Sequence, residues 1–102
     1  MPEFDLHAID DVIHGKLRLG IMAYLSGVAD ASFAEIKSQT GATDGNLSAQ
    51  SRKLEEAGYL QVTKTFIGRK PHTRWALTDT GRKAWSHYLQ QLEQLIATHK
   101  DG

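Results

Sequence analysis

The segment 43–59 carries polar side chains whose types and spacing could bind nucleic acid. On a helix of about 100° per residue, the side opposite its leucines holds an amide, two cations and two very small residues: Asn46, Arg52, Lys53, Gly45 and Ala49. Amide and guanidinium groups hydrogen bond with base edges, Lys pairs with phosphate, and small residues allow a close approach. The alternative is an ordinary solvated helix face.

The five histidines do not form the pattern of a catalytic or metal site. None lies four residues from another, and no HExxH motif is present. His7 and His14 share a helix face but stand two turns apart, about 10.5 Å along the axis, which is too far for one metal. We predict no catalytic residue, no cofactor and no metal. The alternative is a metal site built across a dimer from His14 or His87 with Asp10 or Asp11.

Composition indicates one globular domain over residues 1–102. Hydrophobic residues make up 40% and charged residues 24%, and the absence of cysteine excludes a disulfide framework. No apolar run approaches the ~18 residues of a membrane helix, and the first residues lack the basic start and apolar core of a signal peptide. We predict a cytoplasmic protein with no membrane contact.

The charges are unevenly distributed although the net charge is zero. Residues 1–40 carry six acids and three bases, whereas residues 41–78 carry six bases and three acids. The positive charge therefore surrounds the segment described above and the one that follows it. Such a distribution is typical of one face that binds an anionic polymer.

The apolar spacing predicts a helix over residues 5–27, which His14-Gly15-Lys16 can break or bend, because glycine in a helix interior costs about 1 kcal/mol relative to alanine. Ser32 with Glu35 matches a capping box that starts a short helix. Gly41 and Ala42 make a turn, and a second helix follows, so a helix-turn-helix spans about 33–57. Gly58 suits the left-handed position that ends many helices.

The hydrophobic period changes to two after Gly58. Residues 59–67 and 73–78 predict the strands of a β-hairpin, with a basic tip over 68–72 and a wing over about 60–78. Thr78 or Asp79 caps a last helix that runs to about residue 99. The fold class is α+β, mainly α.

The first and last helices carry apolar faces broader than a small core needs. Part of these faces either enters the chain's own core or packs against a second copy. We predict a symmetric homodimer through both helices. The predicted interface residues are Leu6, Ile9, Ile13, Tyr88, Leu92, Leu95 and Ile96.

The chain resembles winged-helix transcriptional regulators of the MarR/ArsR kind over residues 9–90. The resemblance rests on T-D-G-N-L-S at the start of the second helix, L-E-E-A-G-Y at its end, G-R-x-P-x-T in the wing and L-T-x-x-G after it. It implies a dimer whose recognition helix lies in the major groove and whose wing contacts the flanking backbone or minor groove. The resemblance departs at Ala49, Gln50 and Ser51, where such regulators commonly have Arg-His-Leu, so Ala49 lacks the phosphate or base contact that an arginine would make.

By position, the resemblance puts Thr43, Asn46 and Ser48 at the DNA end of the recognition helix, Arg52 near phosphate or base, and Arg69 and Lys70 in the wing. The full predicted DNA-contacting set is Thr43, Asn46, Ser48, Ala49, Arg52, Lys53, Lys64, Arg69, Lys70 and His72. We predict a sequence-specific DNA-binding regulator that acts as a homodimer on a palindromic site in double-stranded DNA, with no effector identified. The alternative is a winged-helix adaptor that binds other proteins.

Overall fold

The structure is a computed structural model that describes residues 6–101, with side chains described as far as Ala97. In chain order it contains a 3₁₀ turn Leu6–Ala8, α1 Lys16–Ser26, β1 Ala31–Ser32, α2 Phe33–Thr40, α3 Asp44–Glu56, β2 Leu60–Ile67, β3 Lys70–Leu77 and α4 Asp79–Asp101. The strands form one antiparallel sheet in the order β1-β3-β2. The α+β, mainly helical class and the hairpin wing are confirmed. Within the described range, no helix is long and apolar enough to cross a bilayer.

The prediction of one helix over residues 5–27 is wrong, because residues 6–15 do not form an α-helix and α1 begins at Lys16. Asp5, the first residue of the predicted helix, lies outside the described residues. A turn follows the 3₁₀ segment because Asp10 Oδ1 accepts hydrogen bonds from the backbone N–H groups of Val12 and Ile13, at 2.8 and 3.2 Å. An aspartate side chain that takes these amides offers the backbone an alternative to helical bonds. The helix therefore begins only at Lys16.

The helix-turn-helix forms through the local chemistry that the sequence indicates. Ser32 Oγ accepts from the Glu35 amide at 3.1 Å, and the Glu35 carboxylate accepts from the Ser32 amide at 3.3 Å. This reciprocal capping box satisfies two amides that the first turn of α2 leaves unpaired. Gly41 then ends α2 with a φ of 69°, a left-handed conformation that redirects the chain towards α3.

The hairpin is tighter than the sequence predicts. β2 and β3 pair from Leu60 opposite Leu77 to Ile67 opposite Lys70, so the connection is only two residues rather than the five of 68–72. Gly68 has a φ of 64° at the first central position, as a type II′ turn requires. Pro71 lies within β3 but outside the part of β3 that pairs with β1. One edge of β3 is therefore open at this position, and a residue without an N–H is tolerated there.

Side chains from α1, α2, α3, the sheet and α4 share one hydrophobic core. Ile9, Ile13 and Tyr88 lie inside this core, so they offer a partner no surface. These three are corrected from interface residues to core residues, because the amphipathic pattern alone does not tell which partner covers a face. The largest fully buried side chains are Tyr88, Ile13, Ile21, Met22, Leu25, Ile36, Leu47 and Leu54.

Candidate nucleic-acid interface

The first turn of α3 is held by a side-chain cap. Thr43 has extended backbone angles, and its hydroxyl accepts a hydrogen bond from the Asn46 amide at 3.2 Å. Thr43 is exposed, so the cap stands at the surface beside the Asn46 side chain. An N-cap of this kind typically contributes about 1 kcal/mol, which fixes the end of the helix from which Asn46 projects.

The outer face of α3 is free of contacts with the chain's own core. Leu47, Ser51 and Leu54 are the buried residues of this helix. The predicted contact residues of the helix all lie at the surface and are classed as exposed: Thr43, Asn46, Ser48, Ala49, Arg52 and Lys53. An amide, a hydroxyl and two cations therefore share an accessible helix surface that can donate to acceptors on nucleic acid.

An ion pair between α2 and α3 reduces the negative charge on this surface. Lys37 Nζ of α2 lies 2.6 Å from Asp44 Oδ1 in the first turn of α3. The Asp44 carboxylate is stabilised by the positive N-terminal end of the helix dipole, but it would repel a phosphate nearby. Lys37 offsets that repulsion, although both side chains are exposed and the pair contributes little to stability.

Gln50 is held away from the outer face by Arg18 of α1. The Arg18 guanidinium donates to Gln50 Oε1 and to the carbonyl of Val12. Gln50 Nε2 in turn lies 3.5 Å from Asn46 Oδ1, a long contact that orients Asn46 only weakly. Arg18 thus connects the N-terminal segment with α3. Thirty-two residues separate Arg18 and Gln50, so no local pattern signals the contact.

Ser51 is a polar residue at a buried position of α3, and a local hydrogen bond satisfies its side chain. Its side chain is buried, and its hydroxyl donates to the carbonyl of Ser48 at 3.0 Å. A hydroxyl satisfied in this way avoids the penalty of an unpaired buried polar group. The core therefore accepts a serine at this position.

The hairpin carries the remaining predicted contacts. Lys64, Arg69 and Lys70 are exposed, whereas His72 is half-buried with Nε2 3.4 Å from an Arg74 guanidinium nitrogen. No aspartate or glutamate occurs in residues 57–78. The projecting part of the hairpin is therefore uniformly basic, which favours an anionic partner.

Arg74 differs from the other hairpin cations because it is paired within the chain. Its Nε donates to Asp30 Oδ1 at 3.0 Å, and a second guanidinium nitrogen contacts the same oxygen. The Asp30 hydrogen bond raises the pKa of Arg74 above its ordinary value, so the side chain stays charged. The pair joins β3 to the loop before β1 and leaves Arg74 less available to an external phosphate.

Hydrogen bonds fix the end of α3 against the base of the hairpin and the start of α4. The Tyr59 amide donates to the Leu54 carbonyl at 3.0 Å, and the Thr78 hydroxyl donates to the Gly58 carbonyl at 2.6 Å. The same hydroxyl accepts from the Gly81 amide at 2.9 Å, so Thr78 also caps α4. Helix and wing are thereby held in one arrangement.

A polar cluster on the N-terminal segment includes Asp10 and His14, two of the four side chains named for the alternative metal site. The Tyr59 hydroxyl donates to Asp10 Oδ2 at 2.6 Å, and His14 Nδ1 lies 2.8 Å from the Tyr88 hydroxyl. Burial raises the pKa of Tyr88, and the Asp10 charge adds to the effect. Among the residues that the structure describes, no group of three or more potential ligands could hold a metal ion. Asp10 and His14 hold the N-terminal segment to Tyr59, the residue before β2, and to Tyr88 of α4.

The Tyr59 hydroxyl should make the free energy of unfolding depend on pH in the alkaline range. Its hydrogen bond to Asp10, with burial and the Asp10 charge, raises the pKa of Tyr59 to about 12. Because this folded-state pKa exceeds the unfolded value of about 10, the stabilisation is complete below about pH 10 and is lost as pH rises through about 12. We expect Tyr59→Phe to have a lower free energy of unfolding than the wild type near neutral pH. This difference, measured by urea unfolding, should shrink as the pH rises towards 12.

Tyr24→Phe is the matched control, because the Tyr24 hydroxyl makes only an exposed 3.4 Å contact with Glu35. A Tyr59→Phe difference that stays constant up to pH 12 would contradict the assigned bond.

Comparison with known proteins shows a protein family whose model matches most of this chain. Residues 17–96 match the model of the winged helix DNA-binding domain, a family of DNA-binding domains rather than enzymes. An uncharacterized protein of Methanocaldococcus jannaschii is 32% identical over 84 residues, which is 82% of this chain and 91% of that protein.

Solved structures agree with this match. The chain superposes on a transcriptional regulator homologue from Pyrococcus horikoshii with a TM-score of 0.79 and 31% identity, covering 84% of this chain and 85% of that one. An Enterococcus faecalis protein assigned to the MarR family shares the fold, with a TM-score of 0.69, 22% identity and coverage of 88% and 83%. The matched residues include the helix-turn-helix, both wing strands and most of α4. The chain therefore belongs to the family of winged helix DNA-binding domains.

Proposed function

We propose that the protein is a DNA-binding transcriptional regulator that acts in the cytoplasm as a homodimer on a palindromic site. In this proposal α3 lies in the major groove, and the hairpin contacts the flanking backbone and minor groove. One observation carries it: the capped, accessible face of α3 is joined to a hairpin whose exposed charges are all positive. The names of relatives as transcriptional regulators support it.

The side chains divide into two roles by their chemistry. Asn46 and Ser48 supply donors and acceptors for base edges, and Arg52 reaches a base or a phosphate. The cations Lys53, Lys64, Arg69 and Lys70, with His72, supply contacts to phosphate that set affinity more than selectivity. The small residues Gly45 and Ala49 allow a close approach of the helix to the groove, and Thr43 caps the end of the helix that faces the DNA.

The dimer part of the proposal rests on apolar side chains left at the surface. Leu6 is 70% exposed and Ile96 is 63% exposed, on the N-terminal turn and on α4. Leu92 and Leu95 are half-buried and lie within four residues of Ile96 on α4, and we assign them to the same dimer surface. A two-fold axis through this surface would set two copies of α3 about one DNA turn apart, ~34 Å, on inverted half-sites.

The salt dependence of DNA binding tests the proposal. We expect the log of affinity for a labelled duplex, measured by fluorescence anisotropy, to fall linearly with log salt by about 0.9 per neutralised phosphate. Arg69→Ala with Lys70→Ala should make this slope shallower by about 1.8, because two phosphate contacts are lost.

Lys83→Ala is the control, because it removes an exposed cation of α4 that is not among the proposed contact residues. Its salt slope should equal that of the wild type. If the wild type binds no duplex even at low salt, the regulator proposal fails and a protein-binding adaptor becomes the better explanation.

A further inference from the structure

The tip of the hairpin carries two large apolar side chains in contact with solvent. Phe66 is 71% exposed and Ile67 is 65% exposed. Pro71 stands opposite Phe66 in the ladder and is also exposed, so the apolar surface includes both strands. We call Phe66, Ile67 and Pro71 the apolar tip. It belongs to the wing, not to the proposed dimer surface of the N-terminal turn and α4.

The chain's own core does not account for the apolar tip. Leu60 is buried and Val62 half-buried, but every later residue of β2 is exposed. Because side chains alternate along a strand, Phe66 continues the face of β2 that holds Leu60 and Val62, past the end of the core. The last four residues of the strand extend about 13 Å at ~3.4 Å per residue. Their side chains are therefore presented to something outside the chain.

The surrounding charges indicate what that partner is. Exposed cations Lys64, Arg69 and Lys70 lie beside the apolar tip, and residues 57–78 contain no acid. A partner that matches both features is anionic at its edges and apolar within. The minor groove of DNA fits, since phosphates line it and base steps accept apolar wedges such as Phe, Ile and Pro. Two side chains on a narrow hairpin are a small anchor for a lipid surface.

We propose that Phe66 is a wedge that enters the minor groove beside the site contacted by α3 and partly unstacks a base step. Ile67, on the opposite face of the hairpin, rests against the sugars of the groove wall. Arg69 and Lys70 hold the phosphates that flank the opened step. The bound DNA is therefore bent, and the sequence preference at this position reflects how easily the step deforms. This inference rests on the proposed function and specifies how the wing binds.

Energy transfer between dyes at the two ends of a duplex of about 30 base pairs, with protein at saturation, measures the bend. We expect the wild type to bend the duplex and Phe66→Ser with Ile67→Ser to leave it straight. Affinity of this double variant should fall about tenfold, because apolar burial is lost. Its salt slope should equal that of the wild type, since no charge changes. Thr63→Ser with Thr65→Ser, on exposed positions of the same strand, should bend DNA like the wild type.

Other outcomes separate this inference from the function on which it rests. Salt-dependent binding with the same bend and affinity in the Phe66→Ser, Ile67→Ser variant would overturn the wedge and leave the regulator proposal standing. Absence of any duplex binding by the wild type would overturn both. Cosedimentation with vesicles of anionic phospholipid that depends on Phe66 and Ile67, with DNA bending unaffected by their loss, would assign the apolar tip to a membrane and overturn the wedge.

Discussion

Replacement of Gly81 with alanine is expected to lower the free energy of unfolding by about 2 kcal/mol or more. A Cβ at this position of α4 would lie 2.2 Å from the carbonyl oxygen of Tyr59 and 2.9 Å from its carbon. These are backbone atoms, so no side-chain rotation relieves the clash. That carbonyl is also held by the Thr78 amide at 3.0 Å, which limits its movement. The helix propensity gained by replacing Gly with Ala, about 1 kcal/mol, is too small to offset this cost.

Thermal unfolding measures the effect, with a shift of about 4–8 °C per kcal/mol expected for a chain of this size. Gly45→Ala is the matched control, because Gly45 is also helical and a Cβ there meets nothing within 4 Å. That substitution should leave stability unchanged or raise it by up to about 1 kcal/mol. Equal stability of the two variants would contradict the close approach of α4 to Tyr59.

Structure created by residues three or four apart could be predicted from the sequence. The Ser32–Glu35 capping box, the Thr43 cap and the Thr78 cap use short side chains that reach a nearby amide. Gly58 has the left-handed φ of 82° expected where α3 ends. The same local rules predicted the hairpin from its alternating residues.

Structure created by distant residues could not be predicted in this way. Nothing in the period of the N-terminal segment indicates that Asp10 bonds Tyr59, or that Arg18 bonds Gln50. The two-residue strand β1 forms only because β3 offers it an edge. Gly81 appeared as part of a motif, but its reason is the Tyr59 carbonyl, which the fold brings close.

The candidate interface shows the same division. The outer face of α3 follows from helical periodicity, so its exposed residues were predicted correctly as surface residues. The Asp44–Lys37 and Arg74–Asp30 pairs depend on how the elements pack, and they change which charges face outward. The exposure of Phe66 and Ile67 could not be predicted from the sequence either, because alternating apolar residues in a strand usually indicate a buried face.

Aspartate at both Leu89 and Ile96 is expected to convert the proposed dimer into a monomer. Leu89 is the other exposed large apolar residue in the described part of α4, and it lies seven residues before Ile96 on the same stripe, so we add it to the proposed dimer surface. The two side chains are 40% and 63% exposed, so the single chain loses little when they change. At a two-fold interface each substitution would appear twice and bring four carboxylates into an apolar seam, where unpaired charges are costly. Light scattering coupled to size-exclusion chromatography would show half the wild-type mass.

The effect on DNA should exceed that of any single contact. Two linked copies of α3 bind a palindrome with an avidity that is about 10²–10⁴ times the affinity of one copy. The Leu89→Asp, Ile96→Asp variant should lose about this factor on a palindrome and keep its affinity for an isolated half-site. Gln90→Asp with Ala97→Asp is the matched control, because these exposed residues have the same spacing about 100° around the helix. Loss of the dimer in that control alone would move the interface to the neighbouring face of α4, and an unchanged mass in both would remove α4 from it.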